Sequence, residues 1–229
     1  MVNRTFSCFS LTLHRSALAR WLGNSTKASD LYASNFTSHI GGHNGLRKSY
    51  RWGLYSFCGF LEHNRGSCSS TQAAHKFQPF QATMSDIPAQ YQTDTTEIFA
   101  NFTGFQSFRD SRALGSFTEG AYVMIILGTT CTGLSLELRF GKNHLAFLMN
   151  ALLSVFSSVF LLIGAAIWTS MIHNTAKINS STFLARDGTS QSFGIHVSRG
   201  PGLGLLWGAF GASVLTILPR LVMCCTYRG

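Results

Sequence analysis

The chain has 229 residues, of which 45% are hydrophobic and only 12% are charged. Soluble domains carry roughly a quarter charged residues, so this composition excludes an ordinary soluble fold and points to the bilayer. The net charge of +9 is scattered over positions such as Arg15, Arg47, Arg51, Arg109 and Arg139. With no dense basic run, the pattern argues against a nucleic-acid surface and fits loop charges and juxtamembrane contacts with lipid phosphates.

Residues 1–27 read as an atypical N-terminal segment. The apolar stretch from Phe6 to Leu13 is broken by Ser7, Cys8, Ser10 and Thr12, which makes a poor signal peptide. Arg4, Arg15 and Arg20 in a serine-bearing, acid-free context give it some character of a mitochondrial transit peptide. The preferred expectation is that a first transmembrane helix is missing here, displaced by an incorrect start.

Residues 28–116 form the first extracellular loop. Ser49 to Phe60 is rich in strand formers, with Tyr50, Trp52, Leu54 and Ser56 alternating with Arg51, Gly53, Tyr55 and Phe57. Both faces are partly apolar, as a strand lying over the mouth of a helix bundle requires. Cys58 and Cys68 follow in a polar setting, ten residues apart. Their spacing admits a metal site or a bridge; no second Cys or His pair at zinc spacing accompanies them, and a disulfide-clipped hairpin is the preferred reading. His39 and His43 are four apart, but the glycines of SHIGGHNG argue against a helix presenting both to a metal.

The transmembrane region is placed at 117–229, with spans at about 117–136, 145–172 and 202–225, each near the 20 or so apolar residues that a bilayer core requires. The middle span is uncharged, and Pro219-Arg220 puts the end of the last membrane core near Leu218. A short connector holding Arg139 and Lys142, and a basic tail with Arg228, read as cytoplasmic under the positive-inside rule. Sequons at Asn24, Asn35, Asn101 and Asn179 all fall in the complementary segments, the last in a second extracellular loop at 173–201. Within that loop Phe193 to Val197 has a period of two and is expected to join the same sheet.

Gly204, Gly208 and Ala212 recur every four residues and make a smooth helix-packing stripe, for which intramolecular packing is the simpler reading. Ser154 and Ser158 offer similar small contacts. Cys224 and Cys225, beside Arg220 and Arg228, stand where S-palmitoylation occurs. No H-E-x-x-H, nucleophile elbow or phosphate loop is present, so neither a catalytic centre nor a cofactor or metal site is expected.

The feature order resembles the claudin-like tetraspans, and more narrowly the fungal Sur-seven/PalI family. The residues carrying the resemblance are Tyr50 through Cys58, including the signature Trp52, Gly53, Leu54 and Tyr55, with Cys68-Ser69 and Phe77-Gln78-Pro79. Asp30-Leu31-Tyr32 is similar to the start of that family's first outer loop, and Leu205 to Phe210 to the approach to its fourth helix. Gln78 stands where an acid is usual. The resemblance implies a membrane all-α bundle with a small extracellular β-sheet, three spans present of an expected four. It also implies a non-catalytic plasma-membrane protein that organises cortical, eisosome-type domains or assists ambient-pH signalling, the alternative being a claudin-like accessory of calcium influx. Expected partners are membrane lipids and other membrane proteins, including further copies of this chain, with no nucleic acid or small-molecule substrate.

Overall fold

A computed structural model describes residues 7–14, 30–35, 38–61, 65–100, 106–109, 111–138, 144–184, 190–192 and 194–226. Two layers result: a sheet with short helices at one end, and long apolar helices below it.

Five antiparallel strands form the sheet: β1 (Phe9–Leu13), β2 (Ser49–Trp52), β3 (Phe57–Phe60), β4 (Gly66–Cys68) and β7 (Ile195–Arg199), in the order β4-β3-β2-β1-β7. A separate hairpin pairs β5 (Thr182–Leu184) with β6 (Ser190–Ser192). Alternation sets the inner face of the sheet. Phe9, Leu11 and Leu13 of β1, Tyr50 and Trp52 of β2, and Ile195 and Val197 of β7 are all buried, and their registers align them across the three strands.

One sequence expectation is corrected here. The run broken by Ser10 and Thr12, read as a failed leader, is a strand that turns its polar residues to the other face. The sheet domain therefore reaches back to Phe9, ahead of the boundary placed at residue 28. Ser49 to Phe60 forms the strands expected there, β2 and β3, and Gly53 donates its N–H to the Ser56 carbonyl (3.0 Å) to close the turn between them.

Short helices α1 (Pro79–Asp86), α2 (Ala89–Ala100) and α3 (Gln106–Arg109) follow the sheet. Below them stand α4 (Ser111–Glu137), α5 (His144–Ala176, continued by a 3-10 turn over Lys177–Ser180) and α6 (Pro201–Thr226). Three helices are long and apolar enough to cross a membrane, over Arg112–Glu137, Leu145–Ser180 and Pro201–Pro219. The first begins a turn and a half before Phe117. The second passes well beyond Ile172, so the loop expected from residue 173 starts only after Ser180. At 33 residues α5 is about 50 Å long, well over the ~30 Å hydrocarbon core. The surplus turns, with Trp168, Met171 and Ile172, enter the same apolar core as the sheet. α5 is thus a post on which the sheet rests.

Candidate functional site

The contact between sheet and spans is organised by Phe77, which is fully buried. Its ring meets Phe9 (4.6 Å), Trp52 (5.7 Å) and Trp168 (5.9 Å) edge-on, joining β1, β2 and α5 at one point. Its backbone N–H donates to Thr118 Oγ1 at 3.2 Å, which ties the segment to α4. Phe77 lies within the Phe-Gln-Pro step that the sequence marked, and burial explains why an aromatic is needed there.

The signature run makes the second attachment. Trp52 is buried against Phe77, and the turn that follows carries Tyr55 out to Tyr122 of α4, with ring centroids 5.6 Å apart. The Leu54 and Tyr55 carbonyls accept from His75 and Gln72, so residues 69–75 wrap the turn. Cys58 and Cys68 are direct cross-strand partners on β3 and β4 and form a disulfide, on the face of the sheet away from the core. The expected bridge is the geometry found. Cys8 is different: burial raises its thiol to about 11, which keeps it protonated and inert.

A buried polar clamp sits beneath the same strands. The Tyr50 hydroxyl donates to Asp86 Oδ2 (2.6 Å) and accepts the Arg47 N–H (3.0 Å), while Gly41 N–H donates to Asp86 Oδ1 (2.6 Å). The fully buried Arg47 guanidinium donates to the carbonyls of Asn35 and Ser38 and to Ser38 Oγ. Room for it comes from Gly59, where a β-carbon would stand 2.7 Å from Arg47 Cγ. Burial pushes the Asp86 carboxyl up, against the opposing effects of Tyr50, Gly41 and the Arg47 charge. Burial, with the Asp86 charge, pushes the Tyr50 hydroxyl up as well. Nothing local in the sequence marks this clamp, since a lone acid 36 positions from its tyrosine leaves no pattern.

Among the spans, close packing occurs at other glycines than expected. A β-carbon at Gly128 of α4 would meet Leu161 at 2.9 Å, and one at Gly164 of α5 would meet Ile125 at 2.7 Å. Ser157, rather than Ser154 or Ser158, bridges the helices, donating to the Gly128 carbonyl (2.9 Å) and contacting Thr132 Oγ1 (2.6 Å). A β-carbon at Gly204 or Gly208 would meet none of the described residues within 4 Å, whereas Ala212 lines a pocket together with Thr132 of α4 and Ser157 of α5. Among the described residues the two glycines of that stripe have no packing neighbour, while its third member, Ala212, sits on the intramolecular side.

Asn179 uses both ends of its amide on β7: Nδ2 donates to the Val197 carbonyl (2.9 Å) and Oδ1 accepts the Val197 N–H (2.7 Å). Asn35 is exposed, and the rest of its sequon lies outside the described residues, as do Asn24 and Asn101. Cys224 and Cys225 fall in the last turn of α6, their side chains outside the described set.

Three membrane-capable helices carrying a small antiparallel, disulfide-linked sheet define a multi-pass membrane protein of claudin-like architecture. The SUR7/PalI family profile matches residues 5–219, and the chain belongs to that family. No curated protein and no solved structure matches it.

Proposed function

We propose that this chain is a plasma-membrane protein that organises lateral membrane domains at the cell cortex, by packing and without catalysis. The observation that carries the reading is the pair Gly204 and Gly208, a close-approach surface that none of the described residues covers. The neighbours it serves are other membrane proteins or further copies of this chain. In this reading the sheet lies outside and the C-terminus is cytoplasmic. The basic connector with Arg139 and Lys142 supports that orientation, as does a disulfide, which persists in oxidising compartments.

A fluorescent fusion tests the proposal: static cortical patches are expected, and Gly204→Leu/Gly208→Leu should disperse them at unchanged expression. Unaltered patches in that variant would overturn the packing role. Loss of calcium uptake on deletion, with patches intact, would favour the transport-accessory role instead.

A further inference from the structure

The turn after α5 sets a sequon against the edge of the sheet. β7 ends the order β4-β3-β2-β1-β7, so one side of it pairs with β1 and the other is an edge. Gly200 donates its N–H to the Cys8 carbonyl (2.9 Å) and the Gly194 carbonyl accepts from His14 (2.8 Å), which places even-numbered residues of this stretch on the β1 side. By alternation the N–H and C=O of Val197 face the edge. Asn179 takes both: Oδ1 accepts the Val197 N–H (2.7 Å) and Nδ2 donates to the Val197 carbonyl (2.9 Å). Its side-chain amide thus stands in for a neighbouring strand at one position of that edge.

Asn179 is also the acceptor of the sequon Asn179-Ser180-Ser181, and it is exposed. The pairing nevertheless conflicts with a glycan. Because both bonds go to one extended residue they run side by side, and the hydrogen given to Val197 is the one on the same side of the amide as Oδ1. Glycosylation forms a bond from Nδ2 to the anomeric C1 of an oligosaccharide and breaks the bond from C1 to the pyrophosphate of a polyisoprenyl-linked donor. Nδ2 loses one hydrogen as a proton, and the polyisoprenyl pyrophosphate leaves. The product is a secondary amide, which prefers trans over cis by roughly seventyfold. A substituent trans to Cβ lies beside Oδ1, so the sugar takes the place of the hydrogen that Val197 receives. Neighbouring contacts leave the backbone little slack, since Ile178 is buried and its carbonyl accepts the Ser181 N–H (3.1 Å).

We propose that folding closes this acceptor: the assembled protein carries no glycan at Asn179, and a glycan there is confined to chains in which β7 has not docked. The proposal rests on the reading that the sheet lies outside, on the side where glycans are added. A chain modified at Asn179 no longer holds the Val197 edge, so the glycan marks failed assembly and preserves it.

The experiment expresses the full chain in a eukaryotic host, isolates the monodisperse fraction by size exclusion, and releases N-glycans enzymatically in heavy-oxygen water, so that each occupied asparagine is labelled in the peptide mass spectrum. Label at any of Asn24, Asn35 or Asn101 reports that the sheet side meets the glycosylation machinery. In the native protein Asn179 should carry no label, and Ser181→Ala, which removes the sequon and keeps the pairing, should migrate with the native chain. Val197→Pro deletes the N–H that Asn179 accepts without removing a bond to β1, and it should gain label at Asn179 and shift by the mass of one glycan. Val197→Ala trims the same side chain but keeps that N–H, so its Asn179 should stay unlabelled. Label at Asn179 in the native monodisperse protein, equal label in the Ala and Pro variants, or an unlabelled Asn179 in Val197→Pro beside a labelled upstream sequon would overturn the proposal alone. Absence of label from every sequon in every variant would refute the orientation, and the proposal with it.

Discussion

Replacing Tyr50 by Phe removes one oxygen from the centre of the polar clamp and nothing else. The ring and its contact with Trp52, at 5.9 Å, are kept, so no cavity larger than a hydroxyl appears. Two bonds are lost at a site with no solvent access. The Asp86 carboxylate forfeits a charge-assisted donor, worth about 1.5–3 kcal/mol, and the Arg47 N–H is left unpaired at about 1–3 kcal/mol. Because the two terms are not independent, a total near 3–5 kcal/mol is expected, a large part of the 5–15 kcal/mol typical of whole domains. Urea unfolding of the full chain in mild detergent, followed by tryptophan fluorescence, measures it. A double-mutant cycle with Asp86→Ala should return a coupling of at least about 1.5 kcal/mol. A loss under about 1 kcal/mol, or additive behaviour in the cycle, would refute the clamp as a structural element.

The other expectations are narrower. Asp86 binds its proton more tightly in the folded than in the unfolded chain, so the stability it contributes is fully present below its ordinary value of 3.8 and is lost as pH rises through the raised folded value. The native protein should therefore lose stability across that window relative to Asp86→Asn, and parallel pH profiles would contradict this. Cys58→Ser/Cys68→Ser should lower stability by roughly 3 kcal/mol on the chain-entropy scale for so short a loop, as seen in the urea midpoint. Gly164→Leu, forced against Ile125, should destabilise the α4 and α5 pair by about 1–3 kcal/mol, whereas Gly204→Leu should leave thermal unfolding in detergent unchanged. Asn179→Ala should cost about 1–2 kcal/mol and speed hydrogen exchange at Val197 in particular.

The spans were legible because their signal is summed over twenty or so residues of one chain segment. The disulfide was legible because its partners are near in sequence and sit in a polar stretch. What escaped depends on partners far away. Phe9–Leu13 shows a period of two, yet five residues with that pattern are a strand only if neighbours exist, and these are supplied by β2 and by β7 at the other end of the chain. Likewise, small residues mark a close-approach surface without saying which way it points. Gly128 and Gly164 face each other's helices, while Gly204 and Gly208 face outward, and only the rotation of each helix about its axis separates the two cases. Arg47 and Asp86 carried no legible signal, since buried polar residues are recognised by mutual contact, and the partners of the Arg47 guanidinium and the Asp86 carboxyl lie 9 to 45 positions away.

The position of β1 between β2 and β7 also fixes an order of events during synthesis. The hairpins of β2, β3 and β4 can close as soon as residue 68 has emerged, but one edge of β1 stays unpaired until Ile195–Arg199 has been made and has reached the same side of the membrane. That strand arrives only after α4 and α5 have been inserted in opposite directions. The seam between the first and last strands thus records correct insertion of everything between them. A chain stalled or misinserted before α6 displays an open strand edge, a ready signal for aggregation or removal.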